Sequence, residues 1–239
     1  MDRRGRFSGY PERKQAGKHH VFYNMVLLGL LMLCFADTSR AESMPCLDLY
    51  QQLSNQHSEI LSTTRHDSSE FQYRMHELED ALFKALQQCK QDPLLFSVMV
   101  ENQVALGNLQ LAHLYAVRAH RQRPQLWQTN HALGSTLCMQ KDYQQGIPLL
   151  EQAVELAPGR PGLVFNLCST YVSAQRFRQA IDACSNLLNM EQHALSGPAY
   201  LLRSQAYQAL GETGKASADS NSAEALGFEL QVQAQDESP

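Results

Sequence analysis

The sequence predicts an all-α fold, a right-handed α-solenoid of about four helix pairs preceded by an N-terminal helical hairpin. A block of 34 residues recurs along the chain, with a turn at Gly107, Lys141 and Gln175. Pro158 follows Pro124 at the same interval. Apolar residues on both sides of each turn recur at helical spacing. Helix pairs in such an array bury their apolar faces against neighbouring pairs, and the array usually serves as a binding surface.

The first 41 residues have the order of a secretory signal. A basic run is followed by an apolar stretch at residues 21–36 and then by Ser39-Arg40-Ala41. Ser39 and Ala41 are small residues at the two positions that a signal peptidase recognises. We therefore expect a mature chain that starts near Glu42 and is periplasmic or secreted. The apolar stretch is shorter than the roughly 20 residues that span a bilayer. An uncleaved anchor in the inner membrane is the second interpretation, and a lipid on Cys34 is the third.

Charge limits the partners of the mature chain. Removal of residues 1–41 leaves 13 basic and 21 acidic residues, a net charge near −8. Phosphate backbones and anionic lipid surfaces would repel such a domain. We expect a protein partner and no nucleic acid, with membrane contact only through the N-terminal segment if it is uncleaved. The remaining length suits one elongated domain.

Two helices are predicted before the repeats, in an N-terminal hairpin at residues 45–91. Asp67 followed by Glu70 has the pattern of a capped helix start, so the second helix is placed after the polar connection that contains them. The apolar stripes have helical spacing and comprise Cys46, Tyr50, Leu53, His57 and Ile60 in the first helix, and Phe71, Met75, Leu78, Leu82, Leu86 and Cys89 in the second.

Four blocks follow, at residues 93–126, 127–160, 161–196 and 197–228, and each contains two helices around a turn. The fourth block comes after a connection enlarged by two residues near Gly197-Pro198, and its turn is at Gly211. Its second helix is mostly Ser, Ala, Asp and Asn, as expected of a terminal cap that has no neighbour to cover. We expect residues 229–239 to form a flexible acidic tail.

These residues resemble the motif of the tetratricopeptide repeat (TPR), a leucine-glycine pair, a tyrosine, a later small residue, an aromatic and a closing proline. Leu133-Gly134 with Pro158 is the best match, and the resemblance covers residues 93–227. The place of the usual tryptophan is held by Phe96, Asn130, Val164 and Tyr200.

The resemblance implies that the first helix of each pair lines a concave groove for an extended peptide. The groove is expected to be nearly uncharged. Family members that clamp the acidic tails of chaperones use lysine, arginine and asparagine there, and only Asn166 stands at such a place. The residues that the resemblance places in the groove are Ser97, Glu101, His131, Ser135, Phe165, Asn166, Ser169, Leu201, Gln205 and Gln208.

Five cysteines remain after signal removal, and some should pair in an oxidising compartment. Cys46 opens the first helix of the hairpin and Cys89 ends the second, so an antiparallel arrangement brings them together. A bridge there would stabilise the fold by about 4 kcal/mol in the chain-entropy model. Cys168 and Cys184 lie on facing helices of one repeat and are a second candidate pair. Both pairs are alternatively small buried thiols, and Cys138 is left over.

The sequence contains no pattern that indicates an enzyme, a cofactor or a metal site. It has no Cys-x-x-Cys, no glycine-rich phosphate loop after a strand, and no zinc-type histidine spacing. The favoured hypothesis is an exported scaffold that binds an extended partner segment in its groove during assembly of an envelope complex. The alternative is a structural or regulatory subunit of a pilus, secretion or cytochrome-maturation machine, docked through its convex face or N-terminal hairpin.

Overall fold

Ten helices and no strands are found in residues 45–190 and 194–228, the part of the chain that the computed structural model describes. None of these helices is long and apolar enough to cross a membrane. The predicted signal and the acidic tail lie outside the described residues. The helices are α1 (Cys46–Thr63), α2 (Ser69–Gln88), α3 (Pro93–Ala105), α4 (Leu109–Gln122), α5 (Trp127–Met139), α6 (Tyr143–Leu156), α7 (Pro161–Ser173), α8 (Phe177–Leu188), α9 (Ser196–Ala209) and α10 (Thr213–Ala225).

The N-terminal hairpin consists of α1 and α2, and its cap differs from the sequence prediction. Ser68, one residue after Asp67, is the N-cap of α2, and its hydroxyl accepts a hydrogen bond from the Phe71 amide at 3.1 Å. Serine is among the best N-cap residues because its short side chain reaches the free amides of the first turn. Asp67 instead faces Arg65 at 3.3 Å in an exposed ion pair.

The same turn closes the first helix of every repeat. Gly107, Lys141, Gln175 and Gly211 all have positive φ, between 58° and 80°. In each case the next residue donates its amide to a carbonyl five residues earlier, as Asn108 does to Gln103 at 2.8 Å. This is the Schellman motif, which satisfies the carbonyls that a helix end leaves free. The turns that recur in the sequence therefore share one backbone conformation.

The connection before the fourth repeat is longer than those before α5 and α7, and the fourth repeat begins at Ser196. Helix α9 begins at Ser196, so Gly197 and Pro198 lie in its first turn. The ring of Phe228, which follows the last helix, lies directly against Gly197, where any side chain would clash with it. The chain after α10 therefore packs back onto α9 as far as Phe228.

The helices form two layers. The first helices of successive pairs, α1, α3, α5, α7 and α9, pack on one another in that order. The second helices α4, α6 and α8 each pack between the first helix of their own pair and that of the next pair. Because the first helices also contact one another, they form the inner layer, and its open face is the groove side of an α-solenoid.

The N-terminal hairpin is an integral part of the array. Its buried residues, such as Phe71, Met75 and Leu82, share one apolar cluster with Leu95, Phe96 and Met99 of α3. A second large cluster joins α5 through α9 around Tyr171 and Cys168. The hairpin thus covers the first repeat in the way that each repeat covers the next.

Two disulfides join helices at the pairs that the sequence proposed. Cys46 and Cys89 are bonded with their Cα atoms 5.6 Å apart, and Cys168 and Cys184 with theirs 5.3 Å apart. Both separations lie in the usual range for a disulfide. Cys138 is a buried free thiol, and burial raises its pKa to about 11.

Candidate functional site

A cleft of about 880 Å³ lies on the open face of the inner helix layer. Helices α3, α5 and α7 contribute to it, and so does the connection between α6 and α7, residues 157–160. The connection is Ala-Pro-Gly-Arg, so it presents little side-chain bulk before Arg160. The lining residues most relevant to binding are Glu101, Trp127, His131, Arg160, Phe165 and Asn166.

Trp127 and Arg160 form one wall of the cleft. The guanidinium carbon of Arg160 lies 4.3 Å from the centroid of the Trp127 ring. A cation at this distance is attracted by the negative face of the indole. Trp127 opens α5, and Arg160 directly precedes α7, so the contact bridges the starts of two first helices. The pair gives the cleft a broad, fixed aromatic surface.

His131 and Asn166 link α5 to α7 in the same cleft. The Asn166 side-chain nitrogen and the His131 Nε2 atom are 2.7 Å apart, so the amide donates to the ring. Burial lowers the pKa of His131 to about 4, which keeps the ring neutral and able to accept at pH 7. The contact fixes two polar side chains at the base of the cleft.

Glu101 is the acidic side chain of the cleft lining. Its carboxylate lies 3.6 Å from His57 Nδ1 of α1, and its side chain keeps 46% of its surface exposed. Protein atoms nevertheless surround the carboxylate on most sides of the concave face, and this burial raises its pKa to about 7. Burial also lowers the pKa of His57 to about 4, so the two groups do not form a charged pair at neutral pH.

The arrangement suits recognition of an extended chain. Phe165, Leu163 and Pro158 give apolar contacts, while Glu101, His131 and Asn166 give hydrogen-bonding groups. Ligand clefts typically combine such an apolar lining with a few fixed polar groups. No group of three or more His, Cys, Asp or Glu side chains in the described residues could hold a metal ion.

The family model for the tetratricopeptide repeat matches residues 137–196. This range holds the turns at Lys141 and Gln175 and most of the second large apolar cluster. Residues 137–196 thus form a tetratricopeptide-repeat segment. No curated protein matches the sequence.

Solved TPR structures share the fold. MamA residues 41 to end from Desulfovibrio magneticus RS-1 superposes with a TM-score of 0.58 at 17% identity, over 77% of this chain and 96% of that chain. MamA of strain MSR-1 gives 0.57 at 17% identity, over 76% and 96%. YrrB, described as a TPR protein with an unusual peptide-binding site, gives 0.56 at 14% identity, over 79% and 88%. At these identities the likeness is one of fold.

One departure from the TPR motif has a structural reason. Asn130 stands at the usual tryptophan place and is fully buried. Its side-chain nitrogen donates to the carbonyl oxygens of Pro124 at 2.6 Å and Leu126 at 2.8 Å. The asparagine thus fastens the connection before α5, while the chain's single tryptophan lies three residues earlier and lines the cleft.

Four of the ten groove residues expected from the TPR resemblance line the cleft: Glu101, His131, Phe165 and Asn166. Ser97 is buried, and its hydroxyl donates to the Pro93 carbonyl oxygen at 3.1 Å. The other five lie on the first helices outside the cleft and are half-buried or exposed: Ser135, Ser169, Leu201, Gln205 and Gln208. Contact with a partner stays a prediction for all ten residues.

Sequence reasoning missed Trp127 and Arg160. The search covered interior positions of the first helices, whereas Trp127 is the first residue of α5 and Arg160 directly precedes α7. The available signal was that Trp127 is the one tryptophan of the chain. The approach of Arg160 to its ring, across 33 residues of sequence, depends on how two repeats stack.

Proposed function

We propose that the protein is an exported TPR scaffold that binds an extended segment of a partner protein in the cleft during assembly of an envelope complex. The observation that carries the proposal is the cleft itself, whose lining combines the aromatic side chains of Trp127 and Phe165 with the hydrogen-bonded pair His131 and Asn166. TPR arrays generally act as protein-interaction scaffolds, and the YrrB structure is described as containing a peptide-binding site.

Export is supported by two features of the chain. Two cysteine pairs are positioned for disulfides, which persist in oxidising compartments and are rare in the cytosol. The basic, apolar and small-residue order of residues 1–41 is typical of a secretory signal. Sequencing of the mature N-terminus tests this part of the proposal, because cleavage should leave a chain that begins at Glu42.

Binding is favoured over catalysis by the lining of the cleft. His131 is the one histidine that lines it, and the lining contains no serine, threonine or cysteine nucleophile within the described residues. The Asn166 amide already donates to His131 Nε2, so this nitrogen is occupied by a positioning contact. These groups fit hydrogen bonding to a peptide better than proton transfer in a reaction.

Matched substitutions of two phenylalanines test the proposal. Phe165 lines the cleft, whereas Phe83 on α2 is 41% exposed on the N-terminal hairpin. Phe165→Ala should abolish capture of the partner from the native envelope, because it removes an aromatic side chain from the cleft lining. Phe83→Ala should leave capture unchanged, and both variants should melt close to the parent protein.

The same pair of variants tests docking through the N-terminal hairpin. Helix α2 exposes Tyr73 as well as Phe83, which is the observation that favours this alternative. Loss of capture with Phe83→Ala and retention with Phe165→Ala would support it. Deletion of the hairpin is a poorer test, because it would uncover Phe96 and Met99 and so damage the repeats.

A further inference from the structure

We propose that the segment bound in the cleft carries a lysine or arginine side chain that pairs with Glu101, next to an apolar side chain that packs against Trp127 and Phe165. This inference rests on the proposed function of the cleft and specifies the chemistry of its ligand. It differs from recognition of an acidic tail, because the carboxylate is supplied by the protein and the cation by the partner.

The charge of Glu101 is uncompensated within the described residues. No lysine or arginine there forms an ion pair with it, and its nearest titratable neighbour is His57 at 3.6 Å. Burial lowers the pKa values of both His57 and His131 to about 4, so neither ring is charged at pH 7. The Tyr50 hydroxyl also faces this region, and its pKa is raised, mainly by burial and in part by Glu101, so it is neutral as well.

Arg160 is the other charged side chain of the lining, and it does not serve as the counter-ion of Glu101. Its guanidinium lies over the Trp127 ring, and no ion pair joins it to Glu101. Both charges act on the Tyr50 hydroxyl, since Glu101 raises its pKa and Arg160 lowers it, but the guanidinium is held over the indole and makes no ion pair with the carboxylate. A cationic side chain entering beside Glu101 meets one carboxylate and three neutral groups, Tyr50, His57 and His131.

Burial makes a cationic partner favourable at this place. A carboxylate surrounded by protein atoms loses hydration, and this loss raises the pKa of Glu101 to about 7. A cation within contact distance restores the lost stabilisation of the charged form. Because 46% of the side chain remains exposed, a ligand can reach the carboxylate without any movement of the helices.

Selection from a random peptide library tests the proposal on the purified protein. Displayed nonapeptides are selected in parallel on the unchanged protein, on Glu101→Gln and on Glu155→Gln. Glu155 is exposed on α6, outside the cleft, and serves as the matched control. We expect peptides enriched in a lysine or arginine beside an apolar residue from the unchanged protein and from Glu155→Gln. We expect no basic enrichment from Glu101→Gln.

A synthetic peptide from the selection then measures the effect directly. Trp127 is the only tryptophan of the chain, so its emission reports occupation of the cleft. The Kd should weaken at least tenfold when the peptide's basic residue is replaced by glutamine, and this loss should disappear in Glu101→Gln. A similar loss in both proteins would overturn the pairing with Glu101.

The outcomes separate this inference from the proposed function. Peptides that perturb Trp127 but show no basic preference would overturn the inference and leave groove binding intact. Selection of no peptide from any of the three proteins would contradict peptide binding in the cleft and the inference with it. Selection of acidic peptides would overturn the inference and would point to Arg160 as the anchor.

Discussion

The Arg203 guanidinium donates two hydrogen bonds of 2.7 Å to the Asp219 carboxylate and thereby joins α9 to α10. Arg203 also donates to the Ser185 hydroxyl of α8 at 2.9 Å. The carboxylate is almost completely buried, with 8% of its side-chain surface exposed. The terminal helix is otherwise mostly small and polar, so this buried ion pair is its main charged contact with α9, beside the hydrogen bonds of Ser204 to Ala216 and Ser220.

Removal of one partner of this pair should destabilise the protein strongly. Asp219→Ala leaves the Arg203 charge half-buried and unpaired, and the free energy of unfolding should fall by about 3 kcal/mol. Urea unfolding followed by circular dichroism measures this loss. Glu212→Ala removes the exposed ion pair with Lys215 in the same helix pair and should cause no measurable loss. Equal effects of the two substitutions would show that Arg203 and Asp219 do not fasten α10.

Close packing of α5 against α6 gives a second prediction. A Cβ atom at Gly146 would contact the Cys138 sulfur and lie 2.8 Å from the Gly134 carbonyl oxygen. Gly146→Ala should therefore lower the free energy of unfolding by about 1–3 kcal/mol through overpacking. Gly214 in α10 has no atom within 4 Å of such a Cβ, so Gly214→Ala should raise stability by up to about 1 kcal/mol. Loss of stability in both variants would contradict the packing argument.

The 34-residue period could be predicted from the sequence because each repeat needs a turn with a left-handed residue at the same position. At Gly107 and Gly211 the glycine itself indicates the turn. Lys141 and Gln175 adopt the same left-handed conformation although they are not glycines. Spacing alone therefore located them. The start of α2 was misplaced by one residue because Asp67 and Ser68 are both good caps, and only the folded connection selects between them.

The cleft was predictable only in part. Glu101, His131, Phe165 and Asn166 followed from the position of the first helix in each pair. The contact of Glu101 with His57 joins residues 44 positions apart, and depends on how the hairpin stacks on α3. Such contacts arise from tertiary geometry, which the period of a single repeat does not specify.

The disulfide pairing predicts how many cysteines have a free thiol. The processed chain should contain one free thiol, Cys138, and two disulfides. Alkylation without reductant should label one cysteine after denaturation and none in the folded protein, because Cys138 is buried and its pKa is raised to about 11. Mass spectrometry counts the labels. Five labelled cysteines in the denatured, unreduced protein would contradict both bridges.

The pKa of Glu101 gives a pH dependence with a defined sign. Burial raises this pKa to about 7 from an ordinary value of 4.5, so the folded state binds the proton more tightly than the unfolded state. The stability linked to Glu101 is complete below pH 4.5 and is lost as the pH rises through 7. Glu101→Gln removes this loss. Its stability relative to the parent protein should increase between pH 4.5 and pH 8.

Thermal melts of both proteins across this range measure the difference. His57 and His131 titrate in the opposite sense, since burial lowers their pKa values to about 4, but they are present in both proteins and largely cancel. Glu155→Gln should show no pH-dependent gain over the parent protein. A difference between Glu101→Gln and the parent that does not change with pH would contradict the raised pKa of Glu101.

Site-specific photo-crosslinking tests the central claim, that the cleft holds an extended partner segment, most directly. A photoreactive phenylalanine analogue replaces Phe165 in the cleft in one protein and the exposed Phe83 of α2 in another, and both are expressed in the native host. We predict crosslinks from position 165 to one short segment of a partner, with a basic residue in or beside that segment, and none from position 83. Crosslinks from position 83 alone would show instead that the protein docks through its N-terminal hairpin.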